Sequence, residues 1–460
     1  MSERPNVLIL YTDQQRWDSI HAAGNSLIHT PNLDRLAARG ALFENAFCNN
    51  PVCMPSRQSM LSGMYPSAVG CAINGIEMRP ETPTIATFLK PYDYHTANIG
   101  KLHFKNHSNR DHRDPHPRYD FDTLILSDEP GCYDDAYIKW VEEKDRSQVE
   151  ACRCSTPPAC VTRPVHKQPR APHQPYVFEG PETLTHSAFV ASETIDFIHR
   201  HRTDRFFAIA GFYAPHAPLN PPARFVEMYN PDDMPEPLMN EGENERGLTP
   251  AEWRRVRQFY YALISHVDDQ VGRILDALDE EGLTENTLVL FTSDHGEHLG
   301  DHGQTAKGPP GLDSCSHVPL LVSWPGQIPG GTVQDDLIEA VDLVPSILDY
   351  CGVQTPAYLQ GRSFRPLLEQ RSEYNRRKSV FIEYHDPFGA SWKTVRTRHA
   401  FYTICNKGTE MLFDLDRDPH QLKDLSTDSS RMTLRNEMRA ELLRRWFDVE
   451  SELPRRTAQY

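Results

Sequence analysis

The chain has 460 residues, of which 38% are hydrophobic and 24% are charged. This composition is ordinary for a globular protein, and the length allows two or three domains or one large α/β domain with an appendage. The formal net charge of −16 argues against a general nucleic-acid or membrane-surface binder, so an anionic substrate must be met by a local cluster of cations.

The first apolar run, at 6–11, is too short for the apolar region of a signal peptide, and no small-residue cleavage site follows it. No stretch approaches the roughly 18 consecutive apolar residues of a membrane span. We therefore expect a cytoplasmic protein with no membrane partner. The same apolar run predicts a strand buried on both faces of a mainly parallel sheet.

A helix is predicted from Pro31 to Ala38, with Thr30 as its N-cap. Strands that alternate with helices predict an α/β fold, a large, mainly parallel, doubly wound sheet flanked by helices. The later elements of this sheet are expected as strands at 206–210, 288–292 and 318–323, with a long helix at about 250–278.

Two further regions differ in texture from this pattern. Residues 105–181 are polar and rich in Pro, His, Asp and Arg, and are interpreted as an insertion or lid. After Gly352, short strand-like runs and a last helix at about 431–449 predict a smaller antiparallel sheet with one packed helix. The predicted domains are therefore an α/β domain at 1–352 and an α+β subdomain at 353–460. The apolar stripe of the last helix is Leu434, Met438, Leu442, Trp446 and Val449.

The ten cysteines are scattered and do not form a disulfide framework. Cys152, Cys154 and Cys160, with His166 nearby, are interpreted as reduced thiols in a loop. A zinc site is the alternative, although the C-x-C spacing departs from the usual knuckle.

Polar residues follow four of the apolar runs, where the strands of an open α/β sheet bind ligands. Each alone can be a helix N-cap or a surface histidine, but together they predict a site at one rim. Asp13 and Asp294 are hard oxygen ligands that suit Ca²⁺ or Mg²⁺, and Gln14 and His295 can complete the coordination. A dication there lowers the pKa of a bound hydroxyl and neutralises charge on an anionic ester.

Cations and histidines accompany this predicted metal site. Arg57, Lys101 and Lys307 can stabilise charge on a tetrahedral group during transfer. A histidine ordinarily titrates near neutral pH, so His103 and His216 are candidates for the general base and the general acid.

The stretch CMPSR at 53–57, followed by LSG at 61–63, is the most informative motif. It resembles the C-x-P-S-R signature of the formylglycine-dependent sulfatases of the alkaline phosphatase superfamily. In that family the cysteine is oxidised to an aldehyde, and the hydrate of this aldehyde is the nucleophile. A buried structural cysteine is the alternative for Cys53.

The resemblance extends over nearly the whole chain, through TPNLDRLA at 30–37, GKLH at 100–103, PHAP at 215–218, SDHG at 293–296, HVPL to WPG at 317–326 and DL to DP at 414–419. It implies one divalent metal ion, with Ca²⁺ expected and Mg²⁺ or Mn²⁺ as alternatives, and a formylglycine-generating enzyme as maturation partner. The implied catalytic residues are Cys53, Arg57, Lys101, His103, His216 and Lys307. The implied metal ligands are Asp13, Gln14, Cys53, Asp294 and His295.

Two departures from the family pattern stand out, at three positions. Gln14 and His295 stand where many sulfatases have aspartate and asparagine, a variant also found in relatives that resemble choline sulfatases and phosphonate monoester hydrolases. The intact Lys101-x-His103 pair is typical of true sulfatases. His317 stands where an arginine is usual, and the sequence offers no reason for it.

The resemblance implies hydrolysis of a sulfate monoester, with a carbohydrate or another small organic sulfate as substrate. In the implied mechanism, a hydroxyl of the hydrated aldehyde attacks sulfur, His216 or Lys307 protonates the leaving alcohol, and His103 deprotonates the remaining hydroxyl. Asn74 is a candidate substrate-binding residue. Residues 298, 301 and 302 are expected in supporting or pocket roles.

Three other functions stay open at this point. A phosphonate monoester or phosphodiester hydrolase would use the same aldehyde. An inactive metal-dependent binding protein would keep the fold with an unmodified Cys53. A two-zinc phosphatase would need more His/Asp pairs and a Ser or Thr nucleophile. A homo-oligomer is a further expectation that the sequence does not decide.

Overall fold

In the computed structural model of the protein, the described residues are 4–106, 114–131, 133–153, 173–244, 246–371 and 374–450. Eight strands form one sheet: β1 (Asn6–Asp13), β2 (Ala41–Phe47), β3 (Tyr94–Gly100), β4 (Thr123–Leu126), β5 (Arg205–Pro215), β6 (Thr287–Ser293), β7 (His317–Ser323) and β8 (Thr332–Glu339). Their order is β4-β3-β5-β1-β6-β7-β2-β8, and only β7 runs antiparallel to its neighbours. The predicted large, mainly parallel sheet is confirmed.

Helices cover both faces of this sheet. In chain order they are α1 (Pro31–Ala38), α2 (Cys53–Ser62), α3 (Pro66–Val69), α4 (Ile85–Leu89), α5 (Ala136–Asp145), α6 (Val149–Cys152), α7 (His186–Arg200), α8 (Ala223–Val226), α9 (Pro250–Glu280), α10 (Asp313–Ser316), α11 (Leu343–Tyr350), α12 (Arg365–Leu368) and α13 (Met432–Glu450). None of the helices within the described ranges is both long and apolar enough to cross a membrane.

The central strand β1 explains the unbroken apolar run. Leu8 and Leu10 pack on one face of the sheet, in the cluster that contains residues of α7 and α9. Val7 and Ile9 pack on the opposite face with residues of α2 and α11. Both sets are buried because helices cover both faces, so no polar alternation is needed along this strand.

The N-terminus of α1 is capped differently from the prediction. Thr30 makes no side-chain cap bond, and its hydroxyl oxygen instead accepts from the backbone N–H of His21 at 2.9 Å. Asp268 on α9 takes the capping role, since its carboxylate accepts from the N–H groups of Asn32 and Leu33 at 3.1 and 2.7 Å. Thr30 therefore occupies the predicted N-cap position, but a carboxylate from another helix satisfies the free N–H groups in place of its side chain.

The segment predicted as an insertion or lid contributes to the sheet itself. Its residues 123–126 form β4, which pairs in parallel with β3 at the sheet edge. Cys152 ends α6 and is buried. Cys154, Cys160 and His166 lie outside the described residues, so the zinc alternative stays a prediction.

The C-terminal region forms a second sheet, of order β12-β11-β10-β9, and α13 packs on it. Its antiparallel strands are β9 (Ser379–His385), β10 (Ser391–Thr397), β11 (Ala400–Cys405) and β12 (Glu410–Asp414). Of the predicted apolar stripe of α13, Met438, Leu442 and Val449 are buried in the core. Trp446 is 36% exposed and does not belong to the core. Buried Glu339 pairs with Arg377 and Arg445 between the two sheets. The division of the chain at 352 stays a prediction.

Candidate active site

The predicted site residues come together at one rim of the large sheet. Asp13 ends β1, Asp294 follows β6, Lys101 follows β3 and His216 follows β5. These four strands are neighbours and run in parallel, so their carboxyl ends meet at the same edge. The helix α2 completes the rim with Cys53 as its first residue.

The helix α2 presents Cys53 at a buried N-terminus. All residues of α2 are buried, and Gly63 ends the helix with a φ of 71°. Val52 provides no side-chain cap, but the side-chain oxygen of Asn74, Oδ1, accepts from the Met54 N–H at 2.9 Å. Asn74 itself is exposed, and this hydrogen bond orders the backbone next to Cys53. Its predicted contact with substrate stays a prediction.

Four side chains form a compact ligand cluster. One ligand atom from each of Asp13, Cys53, Asp294 and His295 lies within 4.8 Å of the others. His295 Nδ1–H donates to the carbonyl of Gly296 at 2.8 Å. Its Nε2 therefore carries the lone pair in the neutral ring, and this atom lies 3.2 Å from Cys53 Sγ. The backbone N–H groups of residues 14 and 295 hold Asp294 Oδ1 at 3.0 and 2.9 Å.

The cluster fits a hard divalent cation. Gln14 has a φ of 68°, and its side-chain amide donates to Glu297. The other end of this amide, Oε1, is buried and has no hydrogen-bond partner among the described residues. Buried oxygens are normally paired, so this atom needs a cation or a donor. Together with two carboxylates and one neutral imidazole, it makes the oxygen-rich donor set that Ca²⁺ or Mg²⁺ prefers.

Three buried cations surround the same cluster. Arg57 donates from Nε to Asp294 at 2.7 Å and from a terminal nitrogen to Asp13 at 3.2 Å. Lys101 Nζ lies 2.8 Å from the same Asp13 oxygen, Oδ2. Lys307 Nζ donates to Cys53 Sγ at 2.7 Å. This arrangement places positive charge on several sides of the Cys53 sulfur atom.

The electrostatic environment makes Cys53 a poor nucleophile as a thiol. Burial and the nearby Asp13 raise its pKa to about 11, against the lowering effect of Lys307 and Lys101. Burial alone would lower the pKa of both lysines, but Cys53 and Asp13 raise the pKa of each above its ordinary value. At neutral pH the sulfur is therefore protonated while both lysines are charged.

The two predicted acid–base histidines are positioned by backbone contacts. Asp128 Oδ1 accepts from the N–H groups of Leu102 and His103, at 2.7 and 2.8 Å, and so fixes the loop after β3. His216 Nδ1–H donates to the carbonyl of Ala217 at 2.7 Å. Burial and the charge of Lys307 hold the pKa of His216 well below its ordinary value. In the protein as described, His216 is a neutral acceptor.

The three crowded residues after Asp294 have supporting roles. Asp301 accepts from Arg16 at 2.8 Å and from Arg257 at 2.6 Å, a buried ion pair that fixes this loop. His298 contacts Ser314 Oγ at 3.1 Å, and the ring of His302 lies 6.3 Å from that of His298.

The unusual His317 has a packing reason. Its ring stacks between Trp17 and Phe47, with centroid distances of 4.3 and 4.5 Å. Its Nε2–H donates to the carbonyl of Glu44 at 2.8 Å. Burial lowers its pKa to about 4, so the ring is neutral at pH 7. A flat neutral ring fits between two aromatic side chains.

Sequence reasoning missed two supporting residues of the site. Asp128 lies in the segment interpreted as an insertion, where no motif marked it. Glu297 follows the SDHG motif, and its carboxylate accepts from the Gln14 side chain and from the N–H groups of Leu299 and Ala306. A carboxylate two residues after His295 was the available signal.

Comparisons with known proteins agree with this arrangement. The sulfatase family model matches residues 5–353, and a model of the C-terminal region of N-sulphoglucosamine sulphohydrolase matches residues 310–446. An arylsulfatase of Clostridium perfringens is 33% identical over 92% of this chain and 90% of its own length. An N-acetylglucosamine-6-O-sulfatase of Bacteroides thetaiotaomicron is 25% identical over 92% of this chain and 83% of its own length. The crystal structure of a phosphonate monoester hydrolase of Agrobacterium radiobacter superposes with a TM-score of 0.84 at 25% identity, covering 97% and 96% of the two chains.

Proposed function

Because this chain belongs to the sulfatase family and is a hydrolase of sulfate esters, we propose that it cleaves a saccharide or other small organic sulfate monoester with a formylglycine at position 53. Formylglycine would come from oxidation of Cys53 by a maturation enzyme. The proposal also includes one divalent cation, with Ca²⁺ the expected ion. The observation that carries it is the setting of Cys53 at the buried start of α2, within a cluster of metal-ligating side chains and cations.

The chemistry of the site requires more than a cysteine. A thiol with a pKa of about 11 is protonated at pH 7 and is a soft ligand for a hard cation. An aldehyde at this position would supply, once hydrated, one hydroxyl that attacks sulfur and a second hydroxyl whose deprotonation expels sulfate and restores the aldehyde. Asp13, Gln14, Asp294 and His295 would hold the cation, which would supply charge neutralisation and polarisation of the ester.

The cations of the site bind and orient the sulfate group. Arg57 is held rigidly by two carboxylates, and its guanidinium carbon lies 4.5 Å above the Tyr11 ring. Two lysines lie at the same centre, with Lys101 Nζ in contact with Asp13 and Lys307 Nζ in contact with Cys53. A preorganised set of buried charges stabilises a transferring anionic group without reorganisation during the reaction.

Proton transfer to the leaving alcohol is assigned to Lys307. Its pKa is raised, so it carries a proton at neutral pH, whereas the pKa of His216 is lowered and the ring is neutral before substrate binds. His216 then accepts a hydrogen bond or shares the proton. His103, held through its backbone by Asp128, is the base that takes a proton in the second half of the reaction.

A second candidate function is hydrolysis of phosphonate monoesters or phosphodiesters at the same centre. The similarity to the Agrobacterium radiobacter phosphonate monoester hydrolase and the Gln14 and His295 ligand pair favour it. Against it stands the Lys101-x-His103 pair. Comparing one aryl group carried as sulfate, phosphodiester and phosphonate monoester decides between the two, and we expect the highest kcat/KM for the sulfate.

Mass spectrometry tests the proposal directly. The peptide that contains residue 53 should lose the mass difference between CH₂–SH and CHO when the protein is expressed with a formylglycine-generating enzyme. Turnover of p-nitrophenyl sulfate should rise in proportion to the converted fraction. An unmodified thiol under conditions that convert a known sulfatase would contradict the proposal and favour the binding-protein alternative.

A further inference from the structure

A small cavity lies beside the catalytic cations. Its volume is about 40 Å³, and its walls include His186, Tyr213, His216, Asn220 and His266. Lys101 Nζ lies 4.6 Å from the centroid of the Tyr213 ring, and the same atom is 2.8 Å from Asp13. The cavity therefore adjoins Lys101 and shares His216 with the candidate active site.

One wall of this cavity carries an unusual histidine. His186 begins α7, and its Nε2 lies 3.3 Å from the carbonyl oxygen of Ser127. A carbonyl can only accept, so Nε2 carries the hydrogen and Nδ1 carries the lone pair. Nδ1 is buried and has no hydrogen-bond partner within the described parts of the chain.

His186 is neutral under working conditions. Burial lowers its pKa to about 3, and the positive charge of Lys101 adds to this effect. A neutral ring with Nε2 engaged offers only an acceptor at Nδ1. A buried acceptor without a donor is unfavourable, so this atom is suited to a partner that brings an O–H group.

The size and the lining of the cavity limit which groups of a substrate it can bind. A volume of about 40 Å³ holds roughly three water-sized groups. A hydroxyl with its carbon atom fits this space. No Asp, Glu, Lys or Arg belongs to the described lining, so the cavity offers no ion pair to a charged alcohol.

We propose that this cavity receives a hydroxyl-bearing part of the leaving alcohol, and that His186 Nδ1 accepts a hydrogen bond from that hydroxyl. This inference rests on the proposed sulfatase function and refines it. It makes His186 a specificity-determining residue that favours sulfated sugars over aryl sulfates. His186 contacts the alcohol and takes no part in the transfer of the sulfuryl group.

The test uses two substitutions of His186, one that replaces the donor Nε2 and one that replaces the acceptor Nδ1. In His186→Gln, the amide nitrogen can reach the place of Nε2 and keep the bond to Ser127, but no acceptor remains at the place of Nδ1. In His186→Asn, the amide lies at the place of Nδ1 and can restore an acceptor. His266→Gln is the matched control, because His266 lines the same cavity and engages Thr185 Oγ through Nε2 at 3.2 Å.

Each fully converted variant is assayed with a panel of monosulfated methyl hexosides and with p-nitrophenyl sulfate. We expect His186→Gln to lower kcat/KM for the preferred hexoside sulfate about tenfold or more, with p-nitrophenyl sulfate changed less than twofold. His186→Asn should recover part of the loss. His266→Gln should leave the ratio of the two substrates unchanged.

Three results would overturn the inference. Equal losses on both substrates in His186→Gln would show a structural role, and an equal change of the ratio in His266→Gln would remove the assignment to His186. A wild-type enzyme that prefers p-nitrophenyl sulfate over every hexoside sulfate would show that the cavity does not select hydroxyls. Failure of the converted wild type on all sulfates, by contrast, would contradict the proposed function itself.

Should His186→Gln not fold, the same comparison is made with the wild type and a deoxy hexoside sulfate. The analogue lacks the hydroxyl next to the sulfated carbon. A loss of kcat/KM of about tenfold relative to the parent hexoside supports the hydrogen bond. Equal values would mean that a bound water satisfies His186, and the inference would be wrong.

Discussion

Replacing Arg57 by alanine should destabilise the protein as well as abolish turnover. The guanidinium group is completely buried and contacts both Asp294 and Asp13, at 2.7 and 3.2 Å. Its removal leaves two buried carboxylates with fewer counter-charges. Breaking a buried ion pair by removing one partner costs about 3–5 kcal/mol. Lys101 still neutralises part of the charge on Asp13, so the lower half of that range is expected.

Urea denaturation of the wild type and of Arg57→Ala, in calcium and in a chelator, measures this effect. The loss should be larger in the chelator, because a bound cation replaces part of the missing positive charge at the carboxylates. Arg57→Lys should be intermediate, since it keeps a charge but not the two-pronged geometry. Arg365→Ala is the matched control, because this arginine pairs with Glu369 at 2.7 Å but is 28% exposed, and its loss should cost about 1 kcal/mol or less.

A loss below about 1 kcal/mol in the chelator is the range of an exposed ion pair and would contradict a buried pair between Arg57 and the two carboxylates. A loss that calcium does not reduce would separate Arg57 from the metal cluster. The first result would mean that Asp13 and Asp294 are not buried anions.

Four further predictions concern the nucleophile, the cation, a supporting carboxylate and the pH dependence. Cys53→Ala should abolish turnover and leave the free energy of unfolding unchanged within about 1 kcal/mol; surviving activity would exclude a nucleophile at this position. Chelation should remove activity and lower the melting temperature, and Ca²⁺ should restore both; a chelated enzyme at full rate would contradict the assignment of the cluster. Asp128→Asn should lower kcat at least tenfold with a small change in KM, because the backbone that carries His103 loses a charged acceptor for two N–H groups; an unchanged kcat argues against this positioning role. Burial lowers the pKa of His266 from 6.5 to about 3, so the unfolded chain takes up a proton first as the pH falls. The contribution of this histidine to stability is therefore unaffected above pH 6.5 and declines between about pH 6.5 and 3, by about 2 kcal/mol at pH 5. In urea titrations, His266→Gln should remove this part of the loss of stability in acid.

Much of the fold could be predicted because short-range patterns carry the information. The apolar run of β1 predicted a strand covered on both faces, and the helix at 250–280 begins at the capping residues Thr249 and Glu252. The motifs also predicted which residue types would meet at the rim, since the carboxyl ends of parallel strands meet at one edge. The structure brings Asp13, Cys53, Asp294 and His295 within 4.8 Å of one another.

Other features depend on contacts between distant parts of the chain. The carboxylate that caps α1 belongs to Asp268, which lies 236 and 235 positions from its N–H partners Asn32 and Leu33. No local pattern can indicate such a bond. The stacking that explains His317 joins residues from three separate segments.

The sequence by itself determined the chemistry of the site, because the ligands and cations belong to short motifs at strand ends. Only the tertiary structure decided their electrical state and their surroundings. Burial sets the protonation of Cys53, His216 and His186, and burial is a property of the packed molecule. The cavity beside His216 likewise exists only where α7 and the loop after β5 pack together, since a space is defined by its walls and those walls are far apart along the chain.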